Sequence, residues 1–199
     1  MDPKPVALEG RSIRLEPLTP AHLADLSEAG SDPEIWRWYT TTHETPEQMA
    51  AFIRAGLNMQ DDGTAVPFAT IDRKSGRAVG STRYANISRP DRRLEIGWTW
   101  LSPAYQRTRA NTEAKYLMLR HAFEELSCLR VEFKTDSQNH KSRTALLRIG
   151  AREEGTFRNH MICWDGRVRH SVYFSIIDSE WPRVKATLEE KLRIAAIAA

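Results

Sequence analysis

The sequence predicts an α+β (mixed α/β) chain: a central, mostly antiparallel sheet with helices on both faces. Three observations carry that expectation. Residues 66–101 read as alternating strands separated by turns, which is an antiparallel meander. A helical pattern then separates the strand ending at Leu101 from another at Arg130–Asp136, and a crossover of that kind makes two strands parallel. Asp165-Gly166 stands between two further alternating runs, a strong short-range hairpin signal.

The elements follow in order. Ile13 and Leu15 alternate with Arg14 and Glu16, the period of a half-buried strand over Ser12–Leu18. Thr19-Pro20, Asp32-Pro33 and Thr45-Pro46 each pair an N-cap residue with proline at the first helical position, so several short helices follow, one of them carrying Ile35–Tyr39. Gln48 is placed to complete a capping box with Thr45. The meander comprises strands at 66–71, 78–86 and 94–101, with Lys74-Ser75-Gly76-Arg77 as a turn. Tyr116, Leu119, Phe123 and Leu126 recur at helical spacing and give residues 112–126 an apolar stripe. Residues 139–148 read as a helix capped by Gly150, residues 155–164 and 167–177 as the hairpin strands, and 180–193 as a last helix. The tail 194–199 either extends that helix or frays.

Composition narrows the class. A chain of 199 residues with 41% hydrophobic and 28% charged residues is an ordinary globular mix. It is read as a single domain over 1–199, with its core at about 8–178 and a C-terminal helix at about 180–193. The apolar runs are too short for a bilayer, and the opening Met1-Asp2-Pro3-Lys4-Pro5 lacks a secretory signal, so a cytoplasmic protein without membrane contact is expected. The net charge of +3 is spread among acids, which argues against a nucleic-acid partner. Cys128 and Cys163 make neither a disulfide framework nor a zinc site, and no cluster has metal-ligand spacing.

One segment carries the chemistry. From Trp98 to Ala114 a strand ends, a short loop follows and a helix begins. The first N–H groups of a helix lack internal partners and bear partial positive charge, so such an end takes a diphosphate. Arg107 and Arg109 add forked donors in the same loop. The same pattern also describes an ordinary loop with solvated arginines.

The chain resembles the GNAT acetyltransferases, in particular the RimJ/RimL-like branch, over about residues 8–178. The resemblance rests on Leu8–Leu18, Leu94-Glu95-Ile96-Gly97-Trp98, Gln106–Ala114, Asn139-His140-Lys141-Ser142, Leu146–Ala151, Trp164-Asp165-Gly166 and Val172–Ile176, in that order. It implies a sheet of about seven strands and an N-acetyltransferase. Such an enzyme moves an acetyl group from acetyl-CoA to a primary amine by direct attack in a ternary complex, without a metal. The acceptor would be a peptide or protein N-terminus, an amino acid or a small-molecule amine; a homodimer stays open.

The resemblance also distributes roles. The cofactor loop is Gln106, Arg107, Thr108, Arg109, Ala110, Asn111 and Thr112. Arg109 stands where the family has its central glycine, Asn111 where a small residue is usual, and Arg107 at a frequent glycine. Glycine lets a backbone take positive φ, so these departures leave two outcomes: the loop keeps its path and main-chain amides hold the phosphates, or binding is weak or lost. The departures at Arg109 and Asn111 also motivate an alternative reading, a catalytically idle CoA-binding or interaction module that retains the fold. Glu95 is the candidate base, acting through water. Ser142 is the candidate donor to the thiolate sulfur, and Asn139 a contact for the pantetheine arm, which would pair with the main chain of Trp100, Leu101 and Ser102. Trp36, Trp38 and Tyr39 are placed to line the acceptor pocket or to pack on the sheet. His170, on an alternating strand, reads as a core or rim residue, and Tyr173 as core or wall.

Overall fold

A computed structural model describes residues 1–197. Among them eight strands form one sheet: β1 Leu8–Glu9, β2 Ile13–Pro17, β3 Val66–Asp72, β4 Ala78–Ser88, β5 Arg93–Leu101, β6 Arg130–Asp136, β7 Arg152–Ile162 and β8 Val168–Ile177. The helices are α1 Leu23–Ala29, α2 Pro46–Asp61, α3 Ala110–Arg120, α4 His140–Arg148 and α5 Trp181–Ile197. The sheet order is β1-β2-β3-β4-β5-β6-β8-β7. Every neighbouring pair is antiparallel except β5 and β6, which are parallel, as the crossover helix α3 requires.

The sheet separates two cores. Leu94 and Ile96 of β5, Val131 and Phe133 of β6, and Val172 and Phe174 of β8 pack against α3, α4 and α5. On the opposite face Ala69, Ile71 and Trp100 pack against α1 and α2 through Leu26, Met49, Phe52 and Ile53. Alternation along each strand puts one set of side chains on each face.

Local signals account for most boundaries. Thr45 and Gln48 close their capping box: Thr45 N–H donates to Gln48 Oε1 at 3.1 Å, and Gln48 N–H to Thr45 Oγ1 at 3.3 Å. Gly150 sits at φ +94, the left-handed conformation that ends α4. Cys163–Arg167 closes the β7–β8 hairpin around Asp165-Gly166.

The expected sheet of about seven strands has eight, the added one being β1, which is two residues long and too short to alternate visibly. One expectation needs correction. Ile35–Tyr39 is no helix: a 3-10 turn spans Pro33–Ile35, with Asp32 Oδ1 accepting from Glu34 N–H at 2.9 Å, and irregular turns follow. Of the two outcomes left open for the tail, extension of the last helix holds as far as Ile197; Ala198 and Ala199 lie outside the described residues. No helix among the described residues is long and apolar enough to cross a membrane.

Candidate active site

The parallel pair is brief. Arg93, Leu94 and Glu95 of β5 align with Arg130, Val131 and Glu132 of β6, and beyond them the two strands share no ladder. The remainder of β5, Ile96–Leu101, therefore presents an unpaired edge toward β6, a place where an extended amide chain can add. A β-bulge accentuates the divergence. Gly97 pairs with Arg83 and Trp100 with Ser81, so Trp98 and Thr99 together oppose Thr82, and Trp98 takes φ +48. The bulge is held from both faces. Tyr39 Oη donates to the Thr99 carbonyl at 2.7 Å on the α1–α2 side, while the hydroxyls of Thr99 and Thr82 meet at 2.7 Å on the α3 side.

Glu95 is the last residue of β5 that pairs with β6. Its neighbours Leu94 and Ile96 face α3, so its carboxylate faces the α1–α2 side. It is only 2% exposed. Asn86 Nδ2 donates to its Oε2 at 2.7 Å, and Lys134 Nζ of β6 lies 3.6 Å away. Gly97 leaves the room: a Cβ there would stand 2.6 Å from Glu95 Oε1. A cleft of about 760 Å³ opens beside this group, lined by Asn86, Arg93, Glu132, Phe157 and Tyr173 among others.

At the other end of β5 the chain turns through Gln106–Ala110 into α3. Gln106 Nε2 donates to the Leu101 carbonyl at 3.1 Å, and Ser102 N–H donates to Val79 at 2.9 Å, which ties the loop to the strand end. Thr108 Oγ1 accepts the Ala110 N–H and donates to the Tyr105 carbonyl. The N–H groups of Arg107, Thr108, Arg109, Asn111 and Thr112 have no hydrogen-bond partner among the described residues. The feared strain at Arg109 does not arise, since its φ of −70 is helical. The left-handed residue is Arg107, at φ +60. Its side chain points outward, so the loop keeps its turn without glycine at a cost of about 1 kcal/mol. Arg148, at the end of α4, adds a further guanidinium by donating from Nη2 to Thr112 Oγ1 at 3.2 Å.

This architecture has known counterparts. The Acetyltransferase (GNAT) domain family matches residues 12–152. The chain belongs to the GNAT acetyltransferase family. A GCN5-related N-acetyltransferase from Brucella melitensis is 32% identical and superposes with a TM-score of 0.88, over 96% of this chain and 86% of that one. The Bacillus subtilis protein named "Putative ribosomal N-acetyltransferase YdaF" is 32% identical over 106 residues, which span 53% of this chain and 57% of that relative. Mycobacterium smegmatis RimJ, in complex with CoA-disulfide, shares the fold at a TM-score of 0.83 and 21% identity over 95% of this chain and 96% of that one.

Within this GNAT scaffold the remaining site candidates separate. Asn139 caps α4, its Oδ1 accepting the Ser142 N–H at 3.0 Å, so both sit where α4 leaves the C-terminal end of β6. Ser142 is half-buried. Trp36 is fully buried, donating from Nε1 to the Gly30 carbonyl and packing on Trp100 at 5.1 Å. A ring with no exposed surface cannot line a pocket, so Trp36 leaves the acceptor set. Trp38 and Tyr39 stay half-buried; Arg167 and Arg37 stack on the Trp38 ring at 5.2 and 5.1 Å. Burial pushes the Tyr39 phenol up, which keeps it a hydrogen-bond donor. The indole of Trp100 is buried as well. His170 accepts the Asn159 N–H on its Nδ1, a strand contact.

Three buried cations, Arg83, Lys115 and Arg169, and the half-buried Lys134 escaped sequence reasoning. Lys134 pins Glu95 and lies near the Trp98 and Tyr173 rings, at 5.9 and 5.8 Å. Arg169 donates to Ser171 Oγ and to the Trp38 carbonyl, fastening the aromatic segment to β8. Arg83, 2% exposed, lies between the Phe52 and Trp98 rings without an ion pair among the described residues, and burial draws its pKa down to about 10. Lys115 of α3 reaches Thr99.

Proposed function

We propose that this enzyme transfers an acetyl group from acetyl-CoA to a primary amine, by direct attack while both substrates are bound. The single observation behind the reading is the divergence of β5 from β6, with Glu95 at its apex and a loop of free N–H groups at its mouth. The loop Gln106–Thr112, with Arg107, Arg109 and Arg148, is suited to the diphosphate. The pantetheine arm would then run along the unpaired edge of β5 past Leu101, with Asn139 and Ser142 on the opposite wall. Thr108 and Gln106 shape the turn rather than bind through charge.

The amine must be neutral to attack, and Glu95, through a water molecule, is the group on the acceptor face that can take its proton. The carbonyl oxygen becomes negative as the C–N bond forms, and the free edge amides beside the bulge can meet it. Ser142 is one donor available to the departing sulfur. Trp38 and Tyr39 border the acceptor side. The names of relatives such as YdaF favour a peptide or protein N-terminus over a free amino acid or an amine-bearing small molecule as the acceptor. Two free, buried thiols fit a reaction in the cytoplasm. An idle coenzyme-binding module, the other reading, loses its chief motive because Arg109 takes an ordinary helical φ.

The test mixes purified protein with acetyl-CoA and a panel of peptides, amino acids and small amines, and follows release of free thiol. Turnover with at least one amine is expected. Absence of turnover together with no heat on titration with acetyl-CoA would overturn the proposal.

A further inference from the structure

We propose that Lys115 is the proton donor to the coenzyme's sulfur, acting from the face of the sheet opposite Glu95; this rests on the transferase reading above.

Lys115 lies in the second turn of α3 and is 5% exposed. A lysine so buried ordinarily has a carboxylate partner. This one makes no ion pair among the described residues. Its Nζ donates to Thr99 Oγ1 of β5 at 2.7 Å and lies 5.7 Å from the centre of the Phe133 ring of β6. The ammonium therefore sits between the two diverging strands, level with the bulge, where an arm entering at Leu101 would bring its thioester. Among the described residues the charged group that acts on it is Glu95 of β5; Thr82 of β4, Thr99 of β5 and Phe133 of β6 carry none. Burial pulls its pKa from 10.5 to about 7, partly opposed by Glu95. An ammonium of that acidity gives up a proton far more readily than the hydroxyl of Ser142, and it suits a thiolate whose conjugate acid has a pKa of about 8.5.

The step balances. The acceptor nitrogen attacks the carbonyl carbon, the C–N bond forms and the C–S bond breaks with its electron pair on sulfur. Sulfur takes a proton from Lys115 Nζ, and the new amide nitrogen gives one to water and Glu95. Solvent restores the proton on Lys115 when the thiol leaves. Net, the amine's proton ends on the thiol.

The experiment compares wild type with Lys115→Met and Lys115→Gln, by steady-state kinetics across pH 6–9.5, calorimetry with acetyl-CoA and thermal melts. Expected are a fall in kcat of about 100-fold for both variants, within the range of general acid catalysis, and coenzyme Kd within threefold of wild type. The wild-type kcat should decline above the Lys115 pKa, and the variants should lack that decline. The melts separate this from a structural role. Because the folded pKa lies below the unfolded one, the folded protein is penalised most below pH 7, and the penalty fades as pH rises toward 10.5. Lys115→Met should therefore melt higher than wild type at pH 6 by a margin that shrinks by pH 9, while being slower. An active wild type whose variants keep kcat within threefold overturns the inference alone, as does stable acetylation of Lys115 itself, seen by mass spectrometry. A wild type that neither binds acetyl-CoA nor turns over removes the transferase reading, and this with it.

Discussion

The two ends of β5 are built on different principles. At its C-terminal end the loop Gln106–Thr112 is a main-chain device: free N–H groups, a helix terminus and one left-handed residue, Arg107, whose side chain is exposed, with Gln106 and Thr108 bracing the turn. At its apex Glu95 is a side-chain device, placed by Asn86, Lys134 and the space above Gly97. The first tolerates replacement because the backbone path can persist. The second should not, because each neighbour sets a position. Arginines standing at glycine positions in the loop, beside an undisturbed Leu94-Glu95-Ile96-Gly97, are what that difference would produce.

Exchanging Glu95→Gln is the sharpest way to test the apex. The amide keeps the shape and loses the base, so kcat should fall 100-fold or more while acetyl-CoA binds as before, measured by thiol release and calorimetry. An unchanged kcat would move the base elsewhere. Gly97→Ala probes the same point without removing the carboxylate. Its Cβ would arrive 2.6 Å from Glu95 Oε1, so Glu95 must swing aside, and a fall in kcat of about 30-fold is expected, with a stability loss of about 1–3 kcal/mol read by denaturant melts. If Gly97→Ala is silent, the tight fit at the apex is not part of catalysis.

At the loop end the effects should be smaller and of another kind. Arg148→Ala removes a guanidinium from Thr112 and the helix terminus, so Kd for acetyl-CoA should rise about fivefold while kcat at saturation stays level. A fall in kcat instead would mean that the loop end shapes chemistry as well as binding.

How much of this was legible in the sequence follows the same division. The meander, the parallel crossover and the Asp165-Gly166 hairpin rest on period-two alternation and turn chemistry, which are local, and they lie where expected. The loop was legible as a strand, a turn and a helix start. Asn139 was legible as the residue before a helix. The bulge at Trp98 was not, because nothing in Gly97-Trp98-Thr99 announces a left-handed tryptophan. Trp36 read as one of three aromatic residues on a helix, yet the turns after Pro33 bury it. Lys115, Lys134, Arg83 and Arg169 were invisible as site residues because a charged side chain is read as solvated until tertiary contacts are known. Burial of a cation is a property of segments distant in the chain, here Tyr39, Phe52 and Trp98 brought over one strand.

Arg107→Gly should have the smallest effect and asks the most of the comparison. Glycine takes φ +60 freely, which relieves about 1 kcal/mol of backbone strain, but it also loosens the unfolded chain by about 0.5–1 kcal/mol. The net change in stability should lie between zero and a gain of about 0.5 kcal/mol, at most about 2 °C in Tm for a chain of this length. The lost charge is exposed, so acetyl-CoA should bind two- to threefold more weakly at low salt, and the difference should vanish near 0.5 M salt. That pattern is what a diphosphate held by backbone amides requires. A tenfold loss that persists in high salt would mean that the Arg107 side chain itself grips the phosphates, and the contrast between a main-chain end and a side-chain end of β5 would fail.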